Sequence, residues 1–252
     1  MIKLRTLLNE INGEGPKAIF MAGPAGAGKS FILKELNIEG FKTINVDDDF
    51  EELLQKELGK TDFASMSPEE LSTAGKLMGT ARKTTREKEI AAVESLQNIV
   101  IDGTGAASNP LLKKKAELEA LGYDTMMVMI WVSPYTSLER NASRDRALPP
   151  AIVLRTWAGT NKNIETYKSA FDTDFILIDN DPGADIDYDP EYAKDRFFKT
   201  VKGSGKTYSP EELVKKKEEI DATNQEIASL LTNIPDFMTI EDAKSKINTF
   251  LK

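Results

Sequence analysis

The stretch 18–36, AIFMAGPAGAGKSFILKEL, constrains the fold more than any other part of the chain. Five apolar residues run into a glycine-rich turn with the pattern G-x-x-x-x-G-K-S, and a segment with helical periodicity follows. Glycines let the backbone curl so that its N–H groups point at phosphate oxygens, and the start of the helix adds positive potential. The stretch therefore predicts a strand, a phosphate-binding loop and a helix, in that order.

Nine consecutive residues form the predicted nucleotide-binding loop. They are Gly23, Pro24, Ala25, Gly26, Ala27, Gly28, Lys29, Ser30 and Phe31. We expect Lys29 to reach the outer phosphates and Ser30 to ligate Mg²⁺. The alternative, a glycine-rich turn without a ligand, is disfavoured by the strand before the turn and the helix after it.

Five short apolar runs, separated by helical patterns, predict an α/β fold with one mostly parallel sheet flanked by helices. They span 18–22, 42–46, 98–102, 126–132 and 175–179. S-P-E-E-L occurs at 67–71 and again at 209–213, and each copy predicts a helix start. Beyond an acidic, turn-rich stretch, two polar helices are predicted. We therefore expect a core domain over 1–182 and a helical C-terminal extension over 183–252.

Carboxylates follow two of the predicted strands, where phosphoryl transfer needs a group that accepts a proton. Asp47, Asp48 and Asp49 follow the second strand, and Asp47, the first at the strand exit, is the predicted general base. The alternative is an acidic helix cap. Asp102 and Thr104 belong to a D-G-T-G turn after the third strand. Asp102 is a candidate for supporting Mg²⁺ through water, and both residues are candidates for binding the acceptor; an ordinary turn is the alternative.

Three arginines cluster in L-E-R-N-A-S-R-D-R-A-L-P-P, namely Arg140, Arg144 and Arg146. A mobile segment with arginines over a phosphate site neutralises charge during transfer and excludes water. The alternative is a solvated charged helix.

A second basic pair, Arg82 and Arg86, shares a predicted helical stripe with Ile90 and Val93. If this apolar stripe faces the core, both guanidinium groups point inward, towards a substrate phosphate. A solvated first turn is the competing interpretation.

The composition excludes several kinds of site. The chain contains no cysteine and no histidine, so disulfides, thiolate metal sites and a cysteine nucleophile are excluded, and a general base must be a carboxylate, Lys or Tyr. A net charge of −8 argues against broad nonspecific binding of nucleic acid. No apolar run is long enough to span a membrane, and Arg5, Asn9 and Glu10 interrupt the N-terminal segment. We expect a cytoplasmic location.

Five segments occur in the order and spacing of the zeta-toxin-like P-loop kinases, and related small kinases encoded by bacteriophages look similar. They are GPAGAGKS, INVDDDF, IVIDGTG, LEALGYDTMMVMIWV and LERNASRDRALPP. The resemblance covers roughly 17–182. It implies a P-loop kinase core that uses ATP and Mg²⁺, with Asp47 as the base that deprotonates the acceptor hydroxyl. It also implies that Arg140 and Arg146 are the two lid arginines.

The acceptor stays open, because the sequence departs from the family pattern. Zeta toxins phosphorylate a ring hydroxyl of a UDP-linked amino sugar, but they carry Glu at Asp102 and Asp at Asn45. We predict transfer to a small anionic acceptor such as a sugar nucleotide. The alternatives are a nucleotide or polynucleotide kinase and an NTP-binding interaction module. Polynucleotide kinases typically carry an arginine soon after the base, which DDDFEELL lacks, so nucleic acid is not favoured. Whether an inhibitor or antitoxin protein binds this chain also stays open.

Overall fold

The computed structural model describes residues 15–36, 38, 40–144, 147–183 and 209–252. Within them five strands pair in parallel in the order β2-β3-β1-β4-β5. The strands are β1 (Lys17–Ala22), β2 (Lys42–Ile44), β3 (Ile99–Gly103), β4 (Asp124–Trp131) and β5 (Phe175–Asp179). The predicted five-stranded sheet is thus confirmed, and every pairing in it is parallel.

Nine α-helices flank this sheet or follow it within the described residues. They are α1 (Lys29–Glu35), α2 (Val46–Leu58), α3 (Pro68–Glu94), α4 (Ser108–Ala120), α5 (Pro134–Ala142), α6 (Pro150–Asn161), α7 (Ile164–Phe171), α8 (Pro210–Leu231) and α9 (Ile240–Phe250). Capping boxes at Ser67 and Ser209 begin α3 and α8, as the S-P-E-E-L repeats predict. None of the helices in these ranges combines the length and apolar character that a membrane crossing requires.

Side chains of the interior strand β4 alternate between two hydrophobic clusters, one on each face of the sheet. Met127 and Met129 lie in the cluster that contains Phe20, whereas Val128 and Ile130 lie in the other. Successive side chains of a strand point to opposite faces, so a sheet covered on both faces needs apolar residues at every position. This explains why β4 is a continuous apolar run in the sequence.

The strand register brings three chain segments to one edge of the sheet. Ala22, the last residue of β1, pairs with Gly103 of β3, and Ile44, the last residue of β2, pairs with Ile101. The loop after β1, the D-G-T-G turn that ends β3 and the acidic start of α2 therefore lie side by side. In open α/β sheets, ligands bind at the carboxyl ends of the strands.

The C-terminal helices pack into the same core as the sheet. Ile227 of α8 lies in one of the two hydrophobic clusters, and Ala243 and Ile247 of α9 lie in the other. Between these helices, the Met238 amide donates to the Leu177 carbonyl of β5 over 2.8 Å. The helical C-terminal part predicted from the sequence is present and is packed against the core. The domain division at 182/183 stays a prediction, since residues 184–208 lie outside the described ranges.

We expect Ile227→Ala and Ile247→Ala each to lower the free energy of unfolding by about 2–5 kcal/mol, because both side chains are fully buried and their truncation leaves cavities. Val214→Ala on α8 is the matched control. Val214 is 58% exposed, so its loss should change stability by no more than about 0.5 kcal/mol. Urea unfolding measures all three. Losses at Ile227 and Ile247 as small as the control's would mean that α8 and α9 do not share the core.

Candidate active site

The loop between β1 and α1 has the conformation that its glycines predict. Gly26 and Gly28 have φ values of 77° and 80°, a region that favours glycine. The loop also lies close to other backbone and side-chain atoms: a Cβ on Gly28 would lie 2.4 Å from Nδ2 of Asn180. At the end of the loop, Lys29 Nζ donates to the Gly23 carbonyl over 3.1 Å. The lysine therefore lies across the loop, and the exposed Ser30 follows it.

Three consecutive carbonyls of the loop accept hydrogen bonds from elsewhere in the chain. Ser137 Oγ donates to Ala25 O over 2.6 Å, Arg140 Nη1 to Gly26 O over 3.3 Å, and Asn180 Nδ2 to Ala27 O over 2.8 Å. Arg140 Nη2 also donates to the Asn180 carbonyl over 3.0 Å. These donors come from α5 and from the residue after β5, so distant segments fix the loop. Sequence reasoning missed Ser137 and Asn180, whose types carry no signal without knowledge of the loop's position.

The D-G-T-G turn is held from its other side by α6 and α7. The Gly23 amide donates to Thr104 O over 3.3 Å, and Thr160 Oγ1 donates to the same carbonyl over 2.8 Å. Tyr167 Oη donates to Gly105 O over 2.8 Å, and burial raises the pKa of Tyr167 to about 12. Tyr167 therefore stays neutral and acts here as a hydrogen-bond donor. The Thr104 side chain is exposed at the edge of the turn.

Asp102 lies beside the loop lysine, as the sequence predicts for a carboxylate at the end of β3. Its Oδ1 is 3.9 Å from Lys29 Nζ, and its Oδ2 accepts a hydrogen bond from Asn45 Nδ2 over 3.1 Å. Burial raises the pKa of Asp102, and the charge of Lys29 opposes that rise. Among the described residues, Oδ1 has no hydrogen-bond donor although it is buried.

The three aspartates at the start of α2 have different surroundings. Asp47 and Asp48 are exposed, and Asp48 Oδ1 accepts from Asn45 Nδ2 over 3.1 Å. Asp49 is only 5% exposed; Thr85 donates to one of its carboxylate oxygens and Lys88 to the other. Partial burial and the charge of Asp47 raise the pKa of Asp48. Asp49 is therefore tied to α3, whereas Asp47 and Asp48 are accessible to solvent.

The basic residues on α3 are not oriented as the stripe predicts. Val93 is half-buried and packs against the core, but Arg82, Arg86 and Ile90 are all exposed, so the expectation that the basic end of this stripe faces the core is wrong. The small side chains of Ala81 and Thr85, each one residue before an arginine, lie on the buried face of α3 instead. The role of Arg82 and Arg86 in substrate binding stays a prediction.

The arginines of the predicted lid divide into three cases. Arg140 is in the last turn of α5 and lies half-buried against the phosphate loop, whereas Arg144 is exposed. Arg146 lies outside the described residues. Arg140 therefore contacts the loop in this structure and does not lie away from it as an open lid residue would.

The model of one protein family, described as Zeta toxin, matches residues 5–191. This chain belongs to the zeta toxin family. No curated protein matches it.

Several solved structures are similar to this chain. One is from the PezAT chromosomal toxin–antitoxin system of Streptococcus pneumoniae; it is 18% identical, covers 92% of this chain and 97% of its own, and has a TM-score of 0.45. Others come from the complex of AvrRxo1-ORF1 and AvrRxo1-ORF2. The chain in the native complex is 14% identical, and the match covers 92% of this chain and 85% of that one. The chain in the complex with ATP is 15% identical, and the match covers 92% of this chain and 80% of that one. Both have a TM-score of 0.50. At such identities the AvrRxo1 likeness shows the P-loop kinase fold alone.

The residues of this zeta toxin family member fit a magnesium ion that arrives with a nucleotide. In the described ranges, no group of three carboxylates could hold a metal by itself. Ser30 presents an exposed hydroxyl at the loop, and Asp102 presents a buried oxygen without a hydrogen-bond donor. Magnesium prefers oxygen ligands and usually keeps several waters together with substrate phosphates. The two side chains suit that incomplete set of protein ligands.

We expect Asp49→Asn to destabilise the protein by about 1–3 kcal/mol at neutral pH, because it removes a charged acceptor from Lys88 and Thr85. Burial acts to raise the pKa of Asp49, but the bonds from Lys88 and Thr85 outweigh it and hold that pKa below its ordinary value. A lowered carboxylate pKa stabilises the fold above the unfolded-state pKa, and that stabilisation is lost as the pH falls through the folded-state value.

Urea unfolding of the wild type and of Asp49→Asn between pH 3 and pH 7 checks this. The difference in the free energy of unfolding between the wild type and Asp49→Asn should be constant near neutral pH and should disappear below about pH 4. Glu87→Gln, on the exposed face of α3, is the control and should cost no more than about 1 kcal/mol. A difference for Asp49→Asn that is the same at pH 3 and pH 7 would contradict the assignment.

Proposed function

We propose that this protein is an ATP-dependent kinase that transfers the γ-phosphate to a hydroxyl of a small anionic acceptor such as a sugar nucleotide. The observation that carries the proposal is the convergence of Lys29, Asp102 and the start of α2 at the carboxyl ends of three adjacent strands. A phosphate-binding lysine, an oxygen ligand for magnesium and carboxylates accessible to solvent are the parts that phosphoryl transfer needs. The proposed location is the cytoplasm.

ATP is the proposed donor, and Mg²⁺ is its proposed companion. The support is the complete G-x-x-x-x-G-K-S loop, together with the ATP that the AvrRxo1 complex contains in one of its structures. Ser30 would ligate the ion directly, and Asp102 would hold it through a water molecule. When bound, the ion offsets part of the phosphate charge. Lys29 would contact the outer phosphates, for which it would exchange its present bond to the Gly23 carbonyl.

The acceptor proton goes to a carboxylate at the start of α2 in this proposal. As the hydroxyl oxygen bonds to the γ-phosphorus, the bond from phosphorus to the ADP oxygen breaks and the carboxylate takes the hydroxyl proton. Asp47 is the proposed base, by its place at the strand exit and by family resemblance. Asp48 is the competing candidate because Asn45 links it to Asp102. Both oxygens of Asp49 are already bonded, which argues against Asp49.

A second candidate function is a nucleotide or polynucleotide kinase. The observation in its favour is the solvent exposure of Arg82 and Arg86, which leaves both guanidinium groups accessible to a phosphate backbone. The third reading, an NTP-binding interaction module with little transfer activity, predicts nucleotide binding without labelled product. The proposal assigns no inhibitor protein.

A γ-³²P transfer screen over sugar nucleotides, nucleosides and oligonucleotides separates these functions. The proposed function predicts label on a sugar nucleotide, and Lys29→Ala should reduce it at least about 100-fold while the protein stays folded. Lys34→Ala, an exposed lysine on the same helix, is the matched control and should retain activity. Absence of labelled product in every wild-type reaction, or full activity of Lys29→Ala, would overturn the kinase assignment.

We predict that Asp47→Asn binds ATP normally but transfers phosphate at least about 100-fold more slowly, because an amide cannot accept the hydroxyl proton. Titration calorimetry measures ATP binding, and quenched-flow assays measure transfer. Asp48→Asn tests the competing candidate in parallel. If Asp48→Asn loses transfer while Asp47→Asn retains it, the base is Asp48.

Arg140 and Arg146 are proposed to meet the charge that develops on the transferred phosphoryl group. We expect Arg140→Ala and Arg146→Ala to lower kcat about 100-fold, as loss of a transition-state donor often does, with little change in KM for ATP. Arg144→Ala, at an exposed position nearby, should be much milder. Steady-state kinetics measures the three variants. A rise in KM that accounts for the whole loss in Arg140→Ala would instead make Arg140 an anchor of the loop.

A further inference from the structure

We infer that Asn45 is a positioning residue that holds the carboxylates of Asp48 and Asp102 in a fixed arrangement for phosphoryl transfer. Asn45 is the residue between β2 and α2, and its side chain is half-buried at the edge of the sheet where the loop lies. This inference rests on the proposed function, since it assigns a task within the same site. It differs from the base assignment because Asn45 itself transfers no proton.

The Asn45 side chain uses both of its donors, and its oxygen accepts one hydrogen bond. Its Oδ1 accepts from the Asp47 amide over 2.9 Å, which caps α2. Its Nδ2 donates to Asp48 Oδ1 and to Asp102 Oδ2, each over 3.1 Å. Only this orientation of the amide satisfies all three partners, because carboxylates accept hydrogen bonds and a backbone N–H donates one.

Asparagine is the side chain that fits this position by its chemistry. Serine caps a helix about as well, but its single hydroxyl hydrogen cannot serve two carboxylates while its oxygen also accepts from the helix. Aspartate also caps well, but it has no donor and would add a charge beside Asp48 and Asp102. The cap alone therefore does not require asparagine, whereas the bridge between two carboxylates does.

The bridge connects the acidic start of α2 with the phosphate loop. Asp102, which accepts from Asn45 through Oδ2, lies 3.9 Å from Lys29 Nζ through Oδ1. Lys29 in turn bonds to the Gly23 carbonyl. A continuous line of polar contacts thus runs from Asp48 to the loop. Displacement of α2 would move Asp102 relative to the lysine that binds the nucleotide.

The first test is spectroscopic and needs no activity. In a ¹⁵N correlation spectrum of the ligand-free protein, the two Nδ2 protons of Asn45 give separate signals. We expect Asp48→Asn to shift one of them and Asp102→Asn to shift the other, because each variant removes the charge that one proton faces. Asp124→Asn, which disrupts a pair with Lys17 on β1, is the control and should shift neither. If both signals stay unchanged in the Asp48 and Asp102 variants, the bridge does not exist in solution.

The second test separates the bridge from the cap. Asn45→Ser keeps a capping oxygen, so it should melt closer to the wild type than Asn45→Ala does. Asn45→Asp also keeps the cap, but the charge it adds beside Asp48 and Asp102 should lower its melting temperature. We expect kcat to fall about tenfold in Asn45→Ser, a loss typical of an outer residue that orients a working group, and further in Asn45→Asp, with KM for ATP little changed.

Wild-type kcat in Asn45→Ser would overturn the positioning role, as would a loss of activity that only follows the melting temperature across the three variants. A wild-type protein that labels no acceptor would instead end the proposed function. In that case the amide signals of Asn45 would still decide whether it joins Asp48 to Asp102.

Discussion

Parallel pairing of β2, β3 and β1 is the constraint on which the site depends. Ala22 lies beside Gly103 and Ile44 beside Ile101, so three connections leave the sheet at nearly the same level. A slip of one residue would turn the side chains of a strand to the opposite face. The apolar alternation between the two clusters opposes such a slip, because it would exchange the residues on both faces of the sheet. The packing of the core therefore sets the distance between Lys29 and Asp102.

The phosphate loop adds a second requirement, which is long-range. Its glycines permit the curled backbone but do not select it, because glycine populates many conformations. Selection comes from Ser137, Arg140 and Asn180, which bond to three successive carbonyls from segments more than 100 residues further along the chain. The loop is thus held by α5 and the end of β5 before any ligand binds. A pre-formed loop lowers the entropy cost of binding phosphate.

The elements that the sequence predicts well are those with local causes. The capping boxes at Ser67 and Ser209 are complete within four residues, and the continuous apolar run of β4 follows from burial on both faces. The sequence predicts a second strand that reaches residue 46, but the strand ends at Ile44, because the side chain of Asn45 caps α2. The role predicted for Asp47 rests on its place at the strand exit and on family resemblance, and the lid role predicted for Arg140 rests on the arginine cluster and on the same resemblance.

The features that the sequence predicts wrongly, or does not predict, depend on tertiary packing. Ile90 and Val93 predict that the stripe they share with Arg82 and Arg86 faces the core, because large apolar residues usually lie on the buried face of a helix. The helix instead packs through Ala81 and Thr85, since small side chains let α3 approach α2 closely. Likewise, the distinction between three consecutive aspartates needs the position of α3, because only its Thr85 and Lys88 identify Asp49 as the anchored one.

Electrostatics gives the last link between this architecture and an anionic ligand. Burial raises the pKa of Asp48 and that of Asp102, and the charges of neighbouring aspartates add to the rise at both. A nucleotide triphosphate placed among them brings several more negative charges into a chain of net charge −8. Among the described residues, Lys29 and Arg140 each bring one positive charge into contact with the loop. On the proposed function, a divalent cation that enters with the nucleotide therefore offsets part of this negative charge. A water molecule of its hydration shell would donate to Asp102 Oδ1, the buried oxygen to which no described residue donates.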